Sequence, residues 1–116
     1  MHRVDREPPK ISAELAELLS KDPEEVIRFL DECIWGIFAS QDGMAQLTSY
    51  CKFVKLPLTM GVKEVAAELG VHRSTVLMWT QGIDQPYLVH AANTALHTEV
   101  RPNFRLLPMR LVAGGN

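Results

Sequence analysis

A chain of 116 residues with 47% hydrophobic and 22% charged side chains is long enough to bury a core of its own, roughly two thirds of its unfolded surface, which excludes wholesale disorder and a membrane composition. No apolar run approaches the ~20 residues that cross a bilayer, and the charged, proline-containing start MHRVDREPPK is not a secretory signal, so a cytoplasmic protein is expected. A formal charge of −2 argues against binding nucleic acid by bulk charge alone, although residues 1–59 carry seven Lys or Arg against ten Asp or Glu, while residues 60–116 carry five against four.

Residues 1–10 read as a flexible arm, because Pro8 and Pro9 oppose helix and apolar content is low. In ISAELAELLS, Ile11, Leu15, Leu18 and Leu19 recur at helical spacing with Ser12 as a cap, which predicts a short amphipathic helix. Asp22 followed by Pro23, Glu24 and Glu25 is a strong helix start: a cap, a proline at the first helical position, and carboxylates at the positive end of the dipole. The helix is expected to run to about Ser40 on a stripe of Val26, Phe29, Leu30, Cys33, Ile34 and Ile37. Trp35 and Phe38 add apolar surface on other sides. Such a helix needs cover on more than one side, either from its neighbours or from a second copy in a homodimer, with Trp35 and Phe38 as the dimerisation residues. Gln41, Asp42 and Gly43 read as a turn, and Met44 to about Val54 as a bracing helix with Leu47, Tyr50, Cys51 and Val54 inward and Pro57 closing it.

Val62 to Gln81, VKEVAAELGVHRSTVLMWTQ, reads as two short helices around a tight turn. Val62, Val65, Ala66 and Leu69 share one face of the first. Gly70 follows, where a helix end favours a residue free to enter the left-handed region, and Val71 then turns back to the core. In the second helix, from about Arg73, the residues Val76, Trp79 and Ile83 are placed inward, and Ser74, Leu77, Met78 and Gln81 outward. Ala66, Gly70, Val76 and Trp79 form the structural core of the motif, since a small residue must sit where the helices cross and a turn glycine must come four positions later. After a loop at Gly82 to Gln85, Pro86 fits a first helical position and Tyr87 to about His97 an alanine-rich helix. The competing pattern is a β wing pairing Tyr87–His90 with Phe104–Leu107. The tail, FRLLPMRLVAGGN, is apolar and basic, and Pro108 bars it from a central strand. The expected fold is all-α: a small helical bundle containing a helix-turn-helix over residues 58–100, an N-terminal helical extension over 11–57, and an extended tail over 101–116.

The run GVKEVAAELGVHRSTVLMW resembles the helix-turn-helix of phage and bacterial regulators of the Cro and repressor type, and of small excisionase-like proteins, over roughly 25 residues of the chain. The resemblance implies a sequence-specific reader of double-stranded DNA that works as a dimer, with Arg73, Ser74, Leu77 and Met78 facing bases and His72 and Gln81 where such proteins touch phosphate or cap the helix. Three positions depart from the pattern. His72 stands where Ser, Thr or Asp is usual, and Leu77 and Met78 are apolar, suited either to thymine methyl groups or to a protein partner. The expected function is a transcription regulator, with a protein-interaction module, inhibitor or adaptor as the alternative.

Catalysis and cofactors find no foothold. Cys33 and Cys51 have neither disulfide-framework nor metal-ligand spacing, and His2, His72, His90 and His97 form no i, i+4 pair. There is no phosphate loop or nucleophile elbow, and Asp31 with Glu32, like Glu24 with Glu25, lie on different helix faces as solvated surface.

Overall fold

Two helix starts in this protein are set by serine hydroxyls that accept backbone N–H groups, whereas Asp22, expected as a cap, makes no side-chain capping bond. In the computed structural model, which describes residues 5–32 and 40–97, six helices follow one another: α1 Ala13–Leu19, α2 Pro23–Asp31, α3 Gln41–Lys55, α4 Val62–Leu69, α5 Arg73–Thr80 and α6 Tyr87–Leu96. The Ser12 hydroxyl accepts from the Leu15 N–H at 3.1 Å, and the Ser40 hydroxyl from the Gly43 N–H at 3.0 Å. That second cap corrects the sequence reading: Gln41, Asp42 and Gly43 are the first turn of α3 and not a turn before it. Once Ser40 caps, the glycine is simply carried inside the helix. The expected helix from Pro23 to about Ser40 likewise ends early, at Asp31, with Glu32 closing it. Cys33, Ile34 and Ile37 and the expected dimerisation residues Trp35 and Phe38 lie outside the described residues, as does the tail from residue 98 onward.

Among the described residues the architecture is all-helical, a bundle around a single core. Leu15 and Leu19 of α1, Val26 and Leu30 of α2, Leu47, Tyr50, Cys51 and Phe53 of α3, Val65 and Ala66 of α4, Val76 and Trp79 of α5, and Leu88, Val89, Ala92 and Ala95 of α6 are all buried. Helix α6 packs against α1, α2 and α3. Its run of alanines lets three helices approach one axis. The α4–α5 pair joins this body through α3, which touches α4 and holds the aromatic residues that cover Trp79. Phe53, not singled out from the sequence, is fully buried, whereas Val54, expected inward, is only partly so. Pro86 precedes α6 as an extended cap residue and is not its first helical position. The stretch Tyr87–His90 is helical, so it forms no wing, and its expected partner strand lies outside the described residues.

Tyr50, Phe53 and Trp79 meet as three mutually tilted rings, with centroids 5.4 Å apart for Tyr50 and Phe53, 4.9 Å for Tyr50 and Trp79, and 5.4 Å for Phe53 and Trp79. Each pair is in the range where ring edges meet ring faces favourably. The indole N–H of Trp79 donates to the Asp84 carbonyl at 3.1 Å, so the buried ring leaves no polar atom unmet. Ile83, placed inward from the sequence, is instead 55% exposed. The turn after α5 reverses the chain at Gly82, φ 79°, and carries Ile83 past the core.

Residues 5–10, the described part of the segment expected as a flexible arm, are held against the body. The Arg6 N–H donates to the Leu58 carbonyl at 2.7 Å. Its side chain donates through Nε to the Met60 carbonyl at 2.6 Å and through a terminal nitrogen to the Pro57 carbonyl at 3.0 Å. The guanidinium also stands 5.9 Å from the Phe53 ring centroid, within cation–π range. Further on, the Lys10 N–H donates to the Thr80 carbonyl at 3.0 Å. Residues 5–10 therefore run as a strap from the α3–α4 loop to the end of α5.

Trp79→Ala removes one ring of the cluster and its hydrogen bond, and is expected to cost about 3–5 kcal/mol as a large core truncation, read by urea unfolding; a loss under about 1 kcal/mol would contradict the burial described. Gly70 and Gly82 both have left-handed backbones, φ 71° and 79°, but a Cβ on Gly70 meets nothing within 4 Å while one on Gly82 stands 2.6 Å from the Lys10 carbonyl oxygen. Gly70→Ala should thus cost only the conformational term, about 1–2 kcal/mol. Gly82→Ala should cost more and speed hydrogen exchange at the Lys10 amide. The opposite order of stabilities would show that the strap is not held at Gly82.

Candidate nucleic-acid interface

The turn between α4 and α5 is built on Ala66 and Gly70. Gly70 ends α4 in the left-handed region, φ 71° and ψ 33°, and its N–H returns to the Ala66 carbonyl. The Val71 N–H reaches the same carbonyl at 3.0 Å. Ala66 is 5% exposed, and its small side chain permits the close packing of α4 on α5. Glu64 accepts from the Gly61 N–H at 2.8 Å, fixing the start of α4. At the start of α5, His72 occupies the cap position with extended backbone and no side-chain capping bond, and Ser74 supplies none in its place.

Helix α5 divides cleanly. Val76, Trp79 and Thr80 are buried, the Thr80 hydroxyl donating to the Val76 carbonyl at 2.8 Å. Arg73, Ser74, Leu77, Met78 and Gln81 are exposed, with Leu77 at 53% and Met78 at 39%. Positions 73, 74, 77, 78 and 81 lie one above another on a helix, so the residues expected to face a partner form one outward face. His72 is exposed beside them.

A depression of about 610 Å³ opens between the start of α4 and α5, lined by Val62, Lys63, Arg73, Ser74 and Leu77. A smaller one of about 210 Å³ adjoins it, sharing Val62 and Leu77 and adding Arg6, Glu7, Thr80 and Gln81. The Lys63 and Arg73 head groups make no ion pair or hydrogen bond among the described residues, where the one ion pair, Arg28 with Glu25, lies away on α2. Uncommitted cations flanking an apolar helix tip suit a polyanion with methyl groups on its edges. Gln81 is partly spoken for, since its side-chain oxygen accepts from the Lys10 ammonium at 3.1 Å. Sequence reasoning missed the strap residues Arg6 and Lys10 because they reach this face from 71 positions away in the case of Lys10 and Gln81. The one local signal was Gly82, whose missing side chain makes room for the Lys10 carbonyl.

Set against family models, curated proteins and solved structures, the chain matches none.

Among the described residues no three His, Cys, Asp or Glu side chains gather as a metal site, and no helix is long and apolar enough to cross a membrane. His97 is engaged with the Ser12 hydroxyl at 2.9 Å. Cys51 is buried in α3, and that burial pushes its thiol up to about 11. At neutral pH it is a protonated, packed side chain and not a nucleophile.

In the folded protein Cys51 is expected to resist iodoacetamide at pH 8 and to be modified promptly in 6 M urea, read on its peptide by mass spectrometry. Modification at similar rates in both would show the thiol to be open. Because the folded thiol titrates above its ordinary value of 9.0, its contribution to stability is present below that pH and is lost as the pH rises towards 11.

Proposed function

We propose that α5 reads the major groove of double-stranded DNA, and that the protein is a transcription regulator of phage or bacterial type, acting in the cytoplasm as a homodimer. The observation that carries this reading is the outward face of α5. Arg73, Ser74, Leu77, Met78 and Gln81 stand exposed together on a helix anchored by buried Val76 and Trp79. Arg73 makes the charged contact, Ser74 a hydrogen bond, and Leu77 and Met78 press on thymine methyl groups. His72 at the helix start and Lys63 at the start of α4 lie beside that face and meet phosphates. Two copies related by a two-fold axis would bind half-sites about 10 base pairs apart. The role is binding and positioning, without bond-making chemistry.

A second reading is favoured by one observation: two large apolar side chains, Leu77 at 53% and Met78 at 39% exposure, sit at the centre of the face. On a chain of net charge −2, that is also the surface of an adaptor or inhibitor docking on another protein. Salt separates the two, since binding to DNA falls steeply with added salt and apolar docking does not.

The test is selection of DNA fragments by the purified protein, followed by gel shifts of the best fragment at two salt concentrations. Arg73→Ala is expected to weaken binding by about 1–3 kcal/mol and to relax specificity at one base pair if the guanidinium forks onto a guanine, or to weaken binding equally on scrambled DNA if it meets phosphate. Wild-type affinity of the variant on both would remove Arg73 from the interface. A failure to enrich any fragment would favour the protein-docking reading.

A further inference from the structure

On the other flank of α5 lies a cleft with a different character. It has a volume of about 290 Å³, at the lower end of small-molecule sites. Gln46 and Ser49 of α3, Thr75 and Trp79 of α5, and Asp84 and Tyr87 beyond the turn line it. Asp84 is the one charged side chain in its lining, and its carboxylate makes no hydrogen bond or ion pair among the described residues. It is also the one non-glycine described residue with a left-handed backbone, φ 56°. That conformation is uncommon outside glycine, though asparagine and aspartate adopt it more readily than other side chains. The bond from the Trp79 indole to the Asp84 carbonyl holds it there.

Tyr87 completes the recognition chemistry. It is 63% exposed in the first turn of α6, and neither its ring nor its hydroxyl has a partner among the described residues. The side chains of Gln46, Ser49 and Thr75, which also line the cleft, make no hydrogen bond among the described residues. The back of the cleft is fixed by contrast, since Gln85 donates to the Tyr50 hydroxyl at 3.2 Å. Asp84 and Tyr87, whose side chains are unpartnered among the described residues, line one cleft together with residues bearing hydroxyl and amide groups, a set of groups suited to a positive charge: a carboxylate supplies Coulomb attraction, an aromatic ring a cation–π surface, and neutral oxygens accept the remaining N–H bonds. An anion would meet the Asp84 charge with no cation in the lining to offset it.

We propose that this cleft binds a small organic cation, a primary amine or guanidinium on a short chain, between Asp84 and Tyr87. The site does not depend on α5 reading DNA, and its test contains no DNA. Agmatine and putrescine are titrated into the full chain, with binding read by tryptophan fluorescence, because Trp79 forms part of the wall, and by the melting temperature. Saturable quenching or enhancement with a matching rise in melting temperature is expected, with sodium chloride at equal ionic strength giving neither. Asp84→Asn retains a residue that tolerates the left-handed backbone, so it should melt as the wild type does and bind at least tenfold more weakly. Tyr87→Ala, at an exposed position, should weaken binding several-fold. Absence of a saturable response to both amines would overturn the proposal. So would an Asp84→Asn variant that melts normally and binds as tightly as wild type.

Discussion

Trp79 meets Tyr50 and Phe53 with its ring and the Asp84 carbonyl with its N–H, and so ties α5 to two other parts of the chain, α3 and the turn that follows, which must agree for α5 to have a fixed direction. Tyr50 and Phe53 fix α5 against α3. The hydrogen bond fixes the turn that follows α5, including the left-handed Asp84, and that turn in turn sets where α6 begins. An apolar side chain of similar size would fill the same volume but leave the turn untied; the indole is the side chain that both packs and donates.

Much of this was legible from local pattern. The glycine that ends α4, the small residue before it and the inward Val76 and Trp79 are all set by contacts within a few positions, where helical periodicity is a reliable guide. Ser12 and the Asp22–Pro23 start were readable for the same reason. What was not legible depended on distant parts of the chain or on competition between local signals. Gln41 to Gly43 carry the composition of a turn, yet Ser40 outcompeted it as a cap. Phe53 and Val54 are adjacent on α3, and Trp79 and Arg6, both distant in sequence, are on the side that covers Phe53. The strap of residues 5–10 looked like a frayed end because its partners are carbonyl groups, which carry no side-chain signature.

The charge distribution shows how a chain of net charge −2 can still present a cationic face. Among the described residues, Arg28 pairs with Glu25 on α2, whereas Lys63 and Arg73 have no acidic partner. Net charge describes the field far from the molecule. Near α5 it is the unpaired groups that a partner meets, and on the other flank it is the single carboxylate of Asp84. One helix thus separates two surfaces of opposite electrostatic character.

The strap bears on how rigidly this surface is presented. Residues 5–10 bond to the loop that leads into α4 and to the last turn of α5, so the entry and exit of the α4–α5 pair are tied together by one segment. A hinge needs at least one free end, and here both are held. The backbone of α5 is therefore presented as a rigid edge, and any accommodation to an uneven partner falls to the side chains. Met78 and Leu77, long, unbranched at Cβ and exposed, are the ones able to take it up.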